Sequence, residues 1–205
     1  MSPYITTLLS VTALGYFLGS IPFGLLLTRL AGHGDVRNIG SGNIGATNVL
    51  RTGNKGLAAA TLALDILKGA IAVLLCAYIW KSQEMGQVGG LAAFLGHLFP
   101  VWLSFKGGKG VATYIGVLIG IYWLLAVIFC IIWISVAYIS RISSLSALTA
   151  AFAVPVILAV QSLWTGNWVM CIVVSIMSLL VYIRHHANIS RIIKGEEPRI
   201  GAGKS

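Results

Sequence analysis

Long apolar stretches separated by short polar segments run along almost the whole chain. The first, 4–27, contains no charged residue and exceeds the ~20 residues that cross a bilayer as a helix. The run 111–140 would form a helix of about 45 Å, longer than a hydrocarbon core of ~30 Å, so we predict that it crosses twice and turns near Gly120, Tyr122 and Trp123. The predicted spans are about 4–27, 57–80, 87–103, 111–124, 126–140, 143–160 and 164–183.

The basic residues predict which side of the membrane each connecting segment occupies. If the segments 28–55, 104–110, 141 and 184–205 share one side, that side carries twelve of the 14 lysines and arginines, Lys204 included. Cytoplasmic loops carry an excess of Lys and Arg, so this side is predicted to be cytoplasmic. We therefore predict an all-α, polytopic transmembrane bundle of seven helices in one domain, 1–205, with the N-terminus outside and the C-terminus in the cytoplasm.

Composition agrees with a membrane protein and excludes other classes. Hydrophobic residues make up 58% of the chain and charged residues only 9%, with a mean hydropathy of +0.92. A soluble domain, a disordered chain and a basic nucleic-acid-binding domain all need more polar surface. We expect membrane lipid around the protein and no nucleic-acid partner.

Polar residues concentrate in three segments on the predicted cytoplasmic side. The first motif segment, 38–51, formally contains GxGxxG, but a dinucleotide site needs a preceding strand, and here a transmembrane span precedes the glycines. Glycines let backbone N–H groups converge on an anion, and an arginine adds a bidentate fork for phosphate. The segment therefore predicts a phosphate site drawn from Asn38, Gly40, Ser41, Gly42, Asn43, Gly45, Thr47, Asn48 and Arg51.

The second motif segment, 96–110, carries two lysines in a glycine run. Lys106 and Lys109 flank Gly107 and Gly108, and His97 precedes them. Such a loop can close on anionic oxygens, or it can be a tight turn that follows the positive-inside rule. Spacing does not choose between Lys106 and Lys109 as the closer phosphate contact.

The third motif segment, 185–198, pairs a helical pattern with an acidic turn. On a continuing helix, His185 and Asn188 share a face, and Asn188 and Arg191 repeat the spacing before Glu197. His185 and His186 point in different directions and have no third ligand nearby, so no metal site is predicted. The alternative is a solvated helix whose basic residues touch anionic lipid.

Two further patterns lie inside the spans. Asp65 and Lys68 stand at helical spacing, and intramembrane charges mark either function or a neutralising pair. We favour the pair. Two GxxxG patterns, at Gly15 and Gly19 and at Gly116 and Gly120, predict close helix contacts.

Taken together, the three segments resemble a known family. GSGNIGATN with Arg51, GHLFP with FKGGKG, and HxxNIxR with GEEP are similar to the three cytoplasmic motifs of the bacterial acyl-phosphate:glycerol-3-phosphate acyltransferases. The resemblance implies seven transmembrane helices in the bacterial inner membrane, with the active site facing the cytoplasm. It also implies the first committed step of phospholipid biosynthesis, in which an acyl group passes from acyl phosphate to the 1-hydroxyl of glycerol 3-phosphate. The products are lysophosphatidic acid and phosphate.

The resemblance and the chemistry of the residues together assign roles. The catalytic candidates are Arg51, Lys109, His185 and Asn188; Asn38, the Gly40–Gly45 loop, Thr47, Asn48, His97, Lys106, Gly107, Gly108 and Glu197 are substrate-binding candidates. Acyl phosphate has a good leaving group, so we expect positioning and charge neutralisation without a covalent acyl-enzyme. The proton acceptor is either His185 or a substrate phosphate oxygen. We expect no cofactor and no metal, and take a monomer as the working oligomeric state.

Two other functions remain as alternatives. A transporter or channel for an anionic solute would use the glycine segments as re-entrant loops, but the chain has no internal inverted repeat and few ionisable residues at mid-membrane. A noncatalytic membrane subunit would dock through its basic face, although docking needs only charge and not the Asn, Ser and Gly beside it.

Overall fold

The computed structural model describes residues 2–166 and 168–201, and within them all regular structure is helical. Asn167, inside a predicted span, and Lys204 lie outside the described residues. The helices are α1 (Pro3–Gly19), α2 (Phe23–Leu30), α3 (Ala46–Val49), α4 (Lys55–Trp80), α5 (Gln83–Leu98), α6 (Val111–Ser140), α7 (Ser143–Thr165), α8 (Val169–Arg184) and α9 (His186–Ile193). Short 3₁₀ turns occupy Val36–Asn38, Leu50–Thr52 and Val101–Leu103.

Five helical stretches of the described residues are long and apolar enough to cross a membrane, or six if α8 and α9 count as one bent span. Most bounds follow the predicted spans, but α5 is Gln83–Leu98 where 87–103 was predicted, α7 continues to Thr165 and α8 begins only at Val169. In α6 the helical backbone is interrupted at Tyr122, where φ is −160° and ψ is 98°. This break lies in the predicted turn. Seven crossings and the sidedness of the termini stay predictions.

The first span is not the continuous helix that its hydropathy predicted. α1 ends at Gly19 and α2 begins at Phe23, so the stretch Pro3–Leu30 is broken around Pro22. Proline has no N–H to donate and its ring clashes with the preceding turn, which ends a helix. The N–H of Phe23 instead donates to the Ile21 carbonyl at 3.1 Å. Pro22 was the sequence signal for this break.

The chain divides into two compact units, Met1–Ile121 and Tyr122–Ser205. In unit 1, α1 packs closely on α5 at the predicted GxxxG pair. A Cβ at Gly15 would strike the Gly89 carbonyl, and one at Gly19 would strike the Ala93 carbonyl. The same holds for Gly116, where a Cβ would strike the carbonyl of Ile66 in α4. Both GxxxG predictions of close helix contact are confirmed.

In unit 2, α7 packs on α8 and both contact α9. The chain bends by 61° between α8 and α9 at His185, whose backbone lies at φ −102° and ψ 10°. The argument that His185 and Asn188 share a face assumed one helix continuing through His185, and the bend does not meet this condition. Two features accompany the bend: the His185 imidazole Nδ1 lies 2.8 Å from the Val181 carbonyl oxygen, and the sequence changes there from an apolar span to the amphipathic α9.

Candidate functional site

The first motif segment of unit 1 folds between α2 and α4 over a small hydrophobic core of its own. Ile44 and Val49 from this segment are buried together with Val36 just before it, Leu25 of α2 and Leu103 of the second motif segment. Burying these side chains removes apolar surface from water and fixes the path of an otherwise glycine-rich chain. The structure thereby brings the first and second motif segments into contact through Leu103.

Two glycines give the loop its shape. Gly40 and Gly42 have φ of +56° and +69°, in the left-handed region that glycine adopts at little cost. A Cβ at Gly40 would also collide with the Arg51 guanidinium and with the Asn48 side chain. Gly40 therefore allows Arg51 to lie directly against the turn.

Asn48 lies inside the loop and holds it together. Its side chain is buried, and Nδ2 donates to the carbonyls of Val36, Ile39 and Asn43 at 2.8, 2.9 and 2.8 Å. Its Oδ1 accepts from the backbone N–H of Ser41 at 3.0 Å. Donor and acceptor capacity of the amide is used within the loop. The structure thus shows the Asn48 amide bound within the loop, and the predicted substrate contact of Asn48 stays a prediction.

The expected convergence of backbone N–H groups on an anion is not what the loop shows. The N–H of Ser41 donates to Asn48, that of Gly42 to the Ile39 carbonyl at 3.0 Å, and that of Gly45 to Asn43 Oδ1 at 3.3 Å. Side-chain and backbone acceptors close by in sequence satisfy these donors.

Arg51 is the side chain of this loop best suited to phosphate. It is exposed, and no carboxylate in residues 2–166 or 168–201 forms an ion pair with it. The hydroxyl-bearing residues Ser41 and Thr47 are exposed in the same segment, as is Asn38. A planar guanidinium beside hydroxyl groups can hold phosphate oxygens in a fixed orientation.

Sequence reasoning missed an ion cluster at the start of this loop. Asp35 Oδ2 accepts from Arg29 Nη2 at 2.7 Å and from Arg37 Nη2 at 2.6 Å. The hydrogen bonds from Arg37 hold the pKa of the Asp35 carboxyl well below its ordinary value. The Asp-x-Arg spacing of Asp35 and Arg37 was the available signal. Since both arginines are partly neutralised here, they are weaker phosphate candidates than Arg51.

The second motif segment turns back onto the end of α5. The N–H groups of Gly107 and Gly108 donate to the carbonyls of Leu98 and His97, each at 3.1 Å. A Cβ at Gly108 would collide with the His97 imidazole. Lys106 is exposed and Lys109 is half-buried. His97, a predicted substrate contact, is buried and supports the glycine turn from within.

Beside His97 lies the predicted intramembrane ion pair. Lys68 Nζ is 2.7 Å from Asp65 Oδ1, and both side chains are 3% exposed. His97 Nδ1 lies 3.7 Å from the same carboxylate oxygen. The predicted neutralising pair is confirmed, with a histidine added that the sequence did not link to it.

The third motif segment of unit 2 is organised by Glu197. Its Oε2 accepts from Arg191 Nε at 2.6 Å, and its Oε1 accepts from Ser144 Oγ at 2.7 Å and from Asn188 Nδ2. Burial alone would raise the pKa of Glu197, but these hydrogen bonds outweigh it and hold the pKa below the ordinary value. The carboxylate is therefore charged at neutral pH, and it fixes the orientation of the Asn188 amide.

His185 is buried at the bend, with Nδ1 2.8 Å from the Val181 carbonyl oxygen. A carbonyl oxygen only accepts, so a neutral imidazole in this position carries its proton on Nδ1 and its lone pair on Nε2. The role of His185 as proton acceptor stays a prediction.

Comparison with known proteins gave concordant similarities. A family model described as glycerol-3-phosphate acyltransferase matches residues 9–195. Proteins of that name are 58% identical in Allorhizobium ampelinum, over 96% of this chain and 94% of theirs, and 62% identical in Mesorhizobium japonicum, over 92% and 93%. A crystal structure of PlsY, an integral membrane glycerol 3-phosphate acyltransferase in its glycerol 3-phosphate form, superposes with a TM-score of 0.87 at 35% identity, covering 95% of this chain and 96% of that one.

Proposed function

The chain belongs to the glycerol-3-phosphate acyltransferase family, and from this we propose that it transfers a fatty acyl group from an acyl phosphate to the 1-hydroxyl of glycerol 3-phosphate. The products are lysophosphatidic acid and inorganic phosphate. The PlsY relatives were crystallised in a glycerol 3-phosphate form and a lysophosphatidic acid form, which supports the acceptor and the product. The acyl phosphate donor comes from the resemblance of the three motif segments to the bacterial acyl-phosphate:glycerol-3-phosphate acyltransferases.

One observation carries the proposal: Arg51 lies against Gly40 in a loop that Asn48 holds from inside. The guanidinium is thereby preorganised at an exposed turn that carries the Ser41 hydroxyl. Both proposed substrates carry phosphate, and a fixed cation lowers the barrier when charge develops on the leaving phosphate. We assign the Gly40–Gly45 turn, Ser41 and Asn43 to the acyl phosphate.

Arg51, Lys109 and Asn188 are assigned to glycerol 3-phosphate and to the departing phosphate. Lys109 follows the glycine turn fixed on His97, which limits the positions its ammonium can reach. In unit 2 the Asn188 amide is oriented by Glu197, so its remaining groups face a defined direction. Positioning of this kind supplies much of the acceleration in reactions that need no covalent intermediate.

In the proposed step the 1-hydroxyl oxygen of glycerol 3-phosphate attacks the acyl carbonyl carbon. The bond between that carbon and the bridging phosphate oxygen breaks, and phosphate leaves with its electron pair. The hydroxyl proton goes to His185 Nε2 or to an oxygen of a substrate phosphate. No protein nucleophile is needed, because an acyl phosphate is a mixed anhydride with a good leaving group.

We propose that this reaction takes place at the cytoplasmic face of the bacterial inner membrane, as the first committed step of phospholipid synthesis. Arg29, Arg37, Arg51 and Lys55 all follow the first span, as the positive-inside rule predicts for a cytoplasmic segment. Cysteine labelling at Lys55 and Lys81 in sealed vesicles tests this: opposite accessibility is expected, and equal accessibility would contradict the seven-span topology.

The test of function uses purified full-length protein in detergent or lipid. It is given palmitoyl phosphate and glycerol 3-phosphate, and lysophosphatidic acid and released phosphate are measured together, with palmitoyl-CoA as the comparison donor. Equal amounts of both products with palmitoyl phosphate, and none with palmitoyl-CoA, are expected. Product from palmitoyl-CoA alone would overturn the donor, and no product from either would overturn the proposed function. His185→Ala then separates the proton acceptors, since a substrate-assisted step predicts substantial residual turnover.

A further inference from the structure

The proposed reaction gives the buried cluster of Asp65, Lys68 and His97 no chemical role. Charges inside a transmembrane helix are costly, and apolar replacement of a buried ion pair is often neutral or stabilising. Net stability therefore does not explain the cluster. The cluster, however, contacts the residues that position both motif segments of unit 1.

One arm of the cluster holds the break in the first span. Lys68 Nζ donates to the Ile21 carbonyl at 2.8 Å and lies 5.7 Å from the centroid of the Phe23 ring. These contacts sit where α1 ends and α2 begins. α2 in turn carries the first motif segment, because Gly24 approaches the Ile44 carbonyl so closely that no Cβ would fit. Lys68 thus fixes the point from which this segment is positioned.

The other arm supports the second motif segment. Asp65 Oδ1 lies 3.7 Å from His97 Nδ1, and the His97 carbonyl accepts the N–H of Gly108 at 3.1 Å. The imidazole also occupies the space that a Cβ of Gly108 would need. Lys109 directly follows Gly108, so the orientation of the His97 ring limits the backbone position of Lys109.

We propose that Asp65, Lys68 and His97 are positioning residues. Together they fix the distance between Arg51, in the first motif segment, and Lys109, in the second. Asp65 links the two arms, since it contacts both Lys68 and His97. Two phosphate-directed cations need a defined spacing to hold a substrate in a reactive geometry, and misplacement of about 1 Å can cost about 100-fold in rate. This inference rests on the proposed function, in which Arg51 and Lys109 bind phosphate.

The decisive variant is the double replacement Asp65→Asn with Lys68→Met, compared with each single replacement. The single variants are expected to fold poorly, because each leaves a buried charge or polar group without its partner. The double variant removes both charges, so its folded yield should recover. A pair that served only to neutralise itself would then also have wild-type kinetics.

Positioning predicts a different outcome for the double variant. Its KM for glycerol 3-phosphate should rise by about tenfold or more, because the Ile21 carbonyl has lost its lysine donor. Lys68→Arg keeps a cation with N–H donors at this position, so its KM should stay within a few-fold of the wild-type value. The control is Cys76→Ala, in the same helix but buried against Val11 and Met85, which should leave KM unchanged.

Hydrogen exchange supplies a readout that does not depend on turnover. In the double variant, amides in peptides covering residues 103–110 should exchange faster, since Gly107 and Gly108 donate to the end of α5 that His97 holds. Wild-type exchange and wild-type KM in a well-folded double variant would overturn the proposal. If the wild type made no product, the proposed function would fail, while the exchange comparison would still decide whether the cluster positions the loop.

Discussion

Replacing Asn48 with Ala should damage catalysis more than it damages the fold. The amide is 2% exposed, and its two N–H groups serve three carbonyls while its oxygen accepts from Ser41. Loss of two N–H donors and one acceptor oxygen, at about 1 kcal/mol for each group, gives a loss of about 3 kcal/mol from the loop. A folded protein with ~5–15 kcal/mol of stability survives this, but the local loop does not keep one conformation.

The expected consequence is a drop of about 100-fold in kcat/KM, because Arg51 lies against the turn that Asn48 holds. The assay measures initial rates of lysophosphatidic acid formation and, in parallel, the apparent midpoint of thermal unfolding. Asn48→Asp keeps the oxygen that accepts from Ser41 but loses both donors, so it should be at least as impaired as Asn48→Ala.

The matched control is Ser82→Ala, which removes the helix cap that accepts from Met85 N–H at the start of α5. It should cost about 1 kcal/mol in stability and leave kcat/KM unchanged. Wild-type kcat/KM in a destabilised Asn48→Ala protein would refute the claim that this residue positions the loop.

Three further predictions concern single residues. Arg51→Lys should lower kcat/KM by about tenfold in steady-state assays, since the charge remains but one of two parallel hydrogen bonds is lost. Gly108→Ala should raise KM for glycerol 3-phosphate because its Cβ meets the His97 imidazole, whereas Gly56→Ala, where a Cβ meets only Asn54 Oδ1 at 3.4 Å, should not. Glu197→Gln should reduce the loss of thermal stability that is expected in the wild type as pH falls below about 4.5, the ordinary glutamate value.

The sign for Glu197 follows from its lowered pKa. Stability that depends on the ionised carboxylate is complete above the unfolded-state pKa and is lost as pH falls through the lower folded-state pKa. The glutamine variant cannot ionise, so its unfolding midpoint should vary less across that range. If both proteins lost thermal stability equally as pH falls, the proposed effect of the Glu197 hydrogen-bond network would be contradicted. Equal KM values for Gly108→Ala and Gly56→Ala would contradict the claim that a Cβ at Gly108 displaces the His97 imidazole.

Hydropathy was sufficient to find the membrane helices. α4 was predicted at 57–80 and is Lys55–Trp80, because a helix in lipid must be apolar along nearly its whole length. The Asp65–Lys68 pair could also be predicted from the sequence, since helical spacing alone brings the two side chains together. Breaks were harder. Pro22 indicated the break between α1 and α2. No residue type indicated the bend at His185, which depends on where the apolar span meets the amphipathic α9.

Side-chain direction within the loops could not be predicted from spacing. Asn43 and Asn48 are the same residue type in one short segment, yet only Asn48 turns inward onto three carbonyls. The inward direction follows from the small core under the loop, in which Val36, Ile44 and Val49 are buried. Those apolar positions were visible in the sequence, but their contact with Leu103 across a gap of more than fifty residues was not.

The interactions inside the first motif segment offset the entropy cost of ordering a glycine-rich anion site. Glycine lets Arg51 approach the turn at Gly40, but each glycine adds about 0.5–1 kcal/mol of conformational entropy to the cost of ordering the chain. An unsupported loop would leave its cation mobile, and a mobile cation stabilises the transition state little better than water does. Hydrogen bonds from one buried amide and a hydrophobic core of three loop residues offset this cost. Those interactions lie on the inner side of the loop, so they hold Arg51 in place without occupying the surface where phosphate would bind. This separation is why replacing Asn48, three residues before Arg51, is expected to cost loop stability as well as activity.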